Sequence, residues 1–254
     1  MFTKLAKMRR VPSASKVAEE EKTSFKTFGK YVGFAWHHCR THGLAYSAAA
    51  FCRELLFDWR HGIETTTPME LHAQDIPHSA RLDSVQYQGA DPKLVCALLD
   101  TLARDRQHTT FVDYGCGKGR ILLLAAKSGF RRIVGVEFSP KVSAVCHENL
   151  AKTSRYHGGA EFKVHTMDAA LFEPPAGPLV AFFYNPFSGA TLEKVVQHLR
   201  KKAAQSPDSV TIVYVNPRGL PVFQANGFRV TESFLHKSQT LAIVATYRPE
   251  HSAQ

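Results

Sequence analysis

No stretch of this sequence is apolar for long enough to cross a bilayer. The longest apolar run, Leu44 to Cys52, is closed by Arg53, whereas a spanning helix needs about 20 residues. The expectation is a soluble, cytoplasmic chain with no membrane partner. Paired cysteines are also missing. The five present, Cys39, Cys52, Cys96, Cys116 and Cys146, are odd in number and form no C-x-x-C, which points away from a disulfide framework and toward a reducing, intracellular setting. His37, His38, Cys39 and His42 match no standard zinc spacing, so no metal is expected. Internal repeats and low-complexity tracts are absent, and organisation has to be read from periodicity.

What is present is ordinary for a globular protein: 254 residues, 44% hydrophobic and 21% charged, enough to bury a substantial core in one large domain or two small ones. The net charge of +10 is unevenly placed. Half of it lies in residues 1–30, which hold eight Lys/Arg against three Glu and no acid in the first 18 positions. Residues 1–30 read as a basic, disordered tail; steering of an acidic partner and a transit peptide are the alternatives. The mild surplus on the remaining body does not favour nucleic acid as the partner.

From residue 91 the pattern alternates. Asp91 and Pro92 suit the cap and first position of a helix carrying Leu94, Val95, Leu98, Leu99 and Leu102. Thr110–Tyr114 reads as a strand, followed by a glycine turn and a helix beginning near Lys118. Further strands are expected at 132–138, 162–166, 179–184 and 210–215, with helices at 140–153, 191–204 and 220–225. Residues 228–235 and 240–247 form a closing β-hairpin. Alternating strands and helices predict a three-layer α/β fold with a mostly parallel, Rossmann-like sheet and right-handed crossovers. Residues 31–90 form a helical and loop extension, in which Ala48–Trp59 is helical with Phe51, Leu55, Leu56 and Trp59 on one apolar face.

In such a sheet, ligands bind beyond the carboxyl ends of the strands. Glycine and polar signals follow the strands here: FVDYGCGKGR at 111–120, Glu137, Asp168 and Asn185-Pro186-Phe187. Arg120 stands where a dinucleotide fingerprint would put its third glycine, and the spacing is not that of a P-loop. Asp113, two residues before the first glycine, repels a phosphate but welcomes an ammonium group. Gly115 and Gly117 let a ligand approach the main chain. Glu137, at the end of the next strand, suits the two hydroxyls of a ribose, and Asp168 suits the exocyclic amine of adenine. An amino acid joined to adenosine, with no phosphate, satisfies all three. Lys118 and Arg120 are expected to face solvent at the helix start, with the cofactor's carboxylate as an alternative partner for one of them. Cys116 reads as a small loop residue.

The ordered motifs D-Y-G-C-G-K-G at 113–119, G-V-E at 135–137, Asp168 and Y-N-P-F at 184–187 resemble those of the class I S-adenosylmethionine-dependent methyltransferases. GCGKGR together with YNPF also resembles a set of bacterial methyltransferase-domain proteins, a likeness that names no substrate. The resemblance covers the domain at 91–247 and implies S-adenosyl-L-methionine binding by Asp113, Gly115, Gly117, Glu137 and Asp168; separately, Tyr87, shortly before the helix at Asp91, is a candidate cofactor contact, with a core or surface aromatic as the alternative. The resemblance also implies in-line methyl transfer, in which positioning supplies most of the acceleration. Asn185, Pro186 and Phe187 are the expected catalytic residues. An Asn side-chain oxygen and the Pro186 carbonyl can accept from an N–H pair, and Phe187 can pack against the acceptor. A nitrogen acceptor is thus favoured, although the loop departs from the Asn/Asp-Pro-Pro-aromatic pattern in having one proline. The alternatives are an O-methyltransferase of a small molecule and a non-catalytic cofactor-binding module docking an acidic partner.

Overall fold

The computed structural model describes residues 44–67, 91–102, 105–156, 158–206, 209–236 and 239–248. The basic tail at 1–30, most of the extension at 31–90, Tyr87 and the histidines at 37, 38 and 42 lie outside these residues. Ala50–Gln254 forms one compact unit. Its elements are helix α1 (Leu44–His61), α2 (Pro92–Thr101), β1 (Thr110–Tyr114), α3 (Arg120–Lys127), β2 (Arg132–Glu137), α4 (Pro140–Lys152), β3 (Glu161–Thr166), β4 (Leu179–Tyr184), α5 (Gly189–Gln205), β5 (Val210–Val215), α6 (Leu220–Ala225), β6 (Phe228–His236) and β7 (Gln239–Tyr247). Among the described residues, no helix is long and apolar enough to cross a membrane.

The seven strands pair in the order β3-β2-β1-β4-β5-β7-β6. β1 to β5 are parallel, and β7 joins β5 antiparallel as the second arm of the hairpin. Strand order reverses between β1 and β4, so the carboxyl ends of these two strands flank the crevice where doubly wound sheets bind ligands. The buried sequence runs explain the layers. Val112, Tyr114, Phe183 and Tyr214 face one helical layer, and Phe111, Phe182 and Val213 face the other, as alternation along a strand covered on both faces requires. Local caps agree with the sequence: the Asp91 side chain accepts from Lys93 N, and Ser139 Oγ accepts from Val142 N, each with a proline in the first turn.

α1 departs from expectation. The helix forms, but its apolar residues point outward, with Phe51, Leu55, Leu56 and Trp59 between 46% and 80% exposed. The inward face carries Arg53, Glu54, Phe57, Asp58 and His61. Charge decides the orientation. The Arg53 guanidinium binds both oxygens of Asp91, and Glu54 and Asp58 pair with Arg120. Turning that face outward would leave the buried Arg120 without the Glu54 and Asp58 carboxylates, at a cost of several kcal/mol.

Candidate cofactor and acceptor site

Asp113 is the penultimate residue of β1, paired in register between Gly135 of β2 and Phe182 of β4. It is 1% exposed, and its Oδ2 has no hydrogen-bond partner among the described residues. Burial, helped by the negative charge of Glu137, holds its carboxyl well above the usual carboxylate range. An orphaned buried carboxylate oxygen is costly, and it acquires a purpose when a ligand brings a donor to it.

Beyond β1 the chain turns at once. Gly115 N and Cys116 N both donate to Val136 O, at 2.8 and 3.0 Å, tying the loop to β2. Gly115 adopts φ +80°, and a Cβ there would lie 2.5 Å from Pro186 Cβ. The glycine loop and the loop after β4 therefore touch. Gly117 N donates to Glu137 Oε2 at 3.1 Å, and Ser139 N donates to Oε1 at 2.9 Å. Burial raises the Glu137 pKa, while these backbone donors and Phe138 N oppose it. Three backbone donors on about four lone-pair sites leave the carboxylate room for a further donor. Cys116 is buried, and a hydrogen bond with the Cys146 thiol, together with burial, pushes its pKa well up. A thiol held in its neutral form is no nucleophile, in keeping with a packing role. Asp168 is half-buried after β3, where its Oδ1 accepts from Ala170 N at 2.9 Å and caps the short 3₁₀ turn Ala169–Leu171.

On the other side of the crevice, Asn185 follows β4 with φ +43°, a left-handed conformation that asparagine tolerates better than most residues. It is 5% exposed, and its Oδ1 accepts from the Tyr214 hydroxyl at 3.2 Å. Phe187 is also buried, its ring edge-on to Phe183 with centroids 6.3 Å apart. Gly117 and Glu137 are thus joined by a hydrogen bond, Gly115 abuts Pro186, and Asp113 stands two residues before Gly115 with the charge of Glu137 acting on it.

Lys118 and Arg120 do not face solvent, as the sequence reading had them; they are 2% and 3% exposed. Lys118 Nζ donates to Glu64 Oε1 at 2.6 Å and to Thr67 O at 2.7 Å. Arg120 reaches Glu54 and the hydroxyls of Thr65 and Thr66, each at 2.7 Å. Asn149 of α4 completes the clamp, donating to Glu64 O and Lys118 O at 3.0 Å while its Oδ1 accepts from Glu64 N. The start of α3 is therefore built around the segment 64–67. Sequence reading missed Asn149 and Glu64 because their partners are distant along the chain. Among the described residues, no cluster of His, Cys, Asp or Glu is suited to a metal.

Residues 111–206 match the family model described as "Methyltransferase domain". This segment, 96 of the 254 residues, is similar to that domain. It contains Asp113, the glycine loop, Glu137, Asp168 and the Asn185 loop. A curated relative, the ribosomal protein L11 methyltransferase of Thiobacillus denitrificans, is 43% identical over 42 residues, 16% of this chain and 14% of that protein. The chain thus matches only a small part of that relative's length. Among solved structures, the precorrin-6y C5,15-methyltransferase of Geobacter metallireducens aligns with 70% of this chain and 96% of its own, at 13% identity and a TM-score of 0.49. The ribosomal protein L11 methylase of Lactobacillus delbrueckii subsp. bulgaricus aligns with 64% of this chain and 81% of its own, at 13% identity and a TM-score of 0.48.

Proposed function

We propose that the protein is an S-adenosylmethionine-dependent methyltransferase acting on a nitrogen acceptor. The observation that carries the cofactor half is the buried, unpartnered Asp113 Oδ2 beside the glycine loop, a position that favours an ammonium donor. Asp113 would hold the cofactor's amino group, Glu137 its ribose hydroxyls and Asp168 its adenine amine, while Gly115 and Gly117 leave room for the backbone to lie close. Tyr87 remains a proposed further contact. When bound, S-adenosylmethionine supplies a methyl group already activated on a sulfonium, so the protein has to place the acceptor rather than create a nucleophile. Asn185 Oδ1 and the Pro186 carbonyl would accept from the acceptor's N–H groups, orienting the nitrogen lone pair toward the methyl. Phe187 is buried edge-on to Phe183 and would pack beside the acceptor from within the loop. Protein, nucleic-acid and small-molecule acceptors all stay open.

Asn185→Ala tests the acceptor half. Asparagine begins its work only when the acceptor is present, so calorimetric affinity for S-adenosylmethionine should stay within about threefold of the parent, a change under ~0.7 kcal/mol. Release of S-adenosylhomocysteine in a matched cell extract should fall by about 10²–10³, the usual loss of one preorganised polar partner. Mass spectrometry of the extract should find the new methyl on nitrogen. Full turnover by the variant, or a product methylated on oxygen or carbon, contradicts the nitrogen reading.

A further inference from the structure

Tyr214 lies in β5 opposite Phe183 of β4, two residues before the β4 strand gives way to Asn185. Its ring is fully buried and fixed between Phe183 and Phe223, with centroids 5.7 and 5.5 Å away. Its hydroxyl has two partners of opposite kind. Gly219 N donates to the Tyr214 oxygen at 3.1 Å, and the Tyr214 O–H donates to Asn185 Oδ1 at 3.2 Å. The approach of Gly219 is itself specified, because a Cβ there would sit 2.3 Å from Leu192 Cδ2 and 3.0 Å from the Tyr214 oxygen. A buried hydroxyl proton needs an acceptor, and an amide offers one only through its oxygen. This chain of bonds therefore fixes which end of the Asn185 amide points inward. Asn185 keeps one oxygen lone pair and both N–H donors.

We infer that Tyr214 is a positioning residue for the acceptor, acting through Asn185: its hydroxyl, held by Gly219 N, sets the orientation of the Asn185 amide. The inference rests on the reading that Asn185 meets the acceptor. The χ2 torsion of asparagine is broad and roughly two-fold, and a flip would put the NH₂ where the oxygen now stands, removing the oxygen's remaining lone pair from that position. The tyrosine removes that choice before the acceptor arrives. A phenylalanine at this position would fill the same space and leave the amide free to turn.

Tyr214→Phe, Asn185→Ala and the double variant test this as a cycle, with S-adenosylhomocysteine release in a matched extract as the activity readout. Tyr214→Phe should bind S-adenosylmethionine within about threefold of the parent and lose about tenfold in turnover, the value of one neutral hydrogen bond. In the Asn185→Ala background the same substitution should change turnover less than about twofold, because residues acting through one another are non-additive. An equal loss in both backgrounds, as a packing effect would give, overturns the inference, as does full turnover in Tyr214→Phe. Asn185→Ala retaining turnover removes the underlying reading as well, which distinguishes the two failures. A readout independent of turnover is the side-chain amide of Asn185 in ¹H–¹⁵N spectra of the apo protein. Its two protons should be sharp and well separated in the parent and should broaden or converge in Tyr214→Phe; unchanged resonances overturn the inference.

Discussion

At the scale of single residues, Asp113 carries opposing demands. Burial keeps its carboxyl protonated to higher pH in the folded chain than in the unfolded one. A group of this kind supports folding fully below its unfolded pKa, and that support drains away as pH rises toward the folded value. The apo protein should therefore lose stability as pH climbs above about 4, the ordinary aspartate range. Asp113→Asn should flatten that slope, melt higher than the parent at neutral pH and bind S-adenosylmethionine at least about tenfold more weakly. Thermal melts across pH with calorimetry at neutral pH check both halves, and a variant that melts no higher than the parent contradicts the burial argument. Glu137 differs in having backbone donors on both oxygens. Glu137→Ala should weaken cofactor binding by about 1.5–3 kcal/mol, or roughly 10- to 150-fold; unchanged calorimetric affinity removes Glu137 from the site. The placement of these two residues and the glycines was legible in the sequence because each stands at or just past the end of a strand. Tyr214 was not legible. It lies inside the run Val210–Val215, where an aromatic reads as core, and its partner Asn185 is 29 residues away.

At the scale of elements, the strands could be read because buried parallel strands announce themselves as apolar runs between helical repeats, whereas their order in the sheet comes from the structure. β1, β4 and β5 begin and end where the pattern places them. α1 shows the limit of that method. Periodicity located the helix, yet spacing of apolar residues does not say which face the fold uses, and here charge overrides it through Arg53–Asp91 and Glu54–Arg120. The same network corrects Lys118 and Arg120, whose place after the glycine loop suggested exposure. Arg120→Met would leave Glu54, whose pKa burial already raises, and Asp58 without their cation. Breaking a buried pair from one side costs about 3–5 kcal/mol, which in a chain of this size lowers the melting temperature by roughly 6–20 °C. A scanning-calorimetry shift below about 2 °C would show that the clamp on segment 64–67 contributes little.

At the scale of the whole molecule, the strand order reverses between β1 and β4, where sheets of this kind form a ligand crevice. One wall is the glycine loop with Asp113 and Glu137; the other is the loop of Asn185 and Pro186, locked to the first where Pro186 Cβ occupies the space a Gly115 side chain would need. Under the proposed function, the buried Asp113 is the residue expected to favour an amino group over a pyrophosphate in this crevice. Titration of the purified protein by isothermal calorimetry with S-adenosylmethionine, S-adenosylhomocysteine and NAD tests this most directly. Saturable binding of the first two with no detectable heat from NAD is the expected result; NAD affinity comparable to that of S-adenosylmethionine would contradict it.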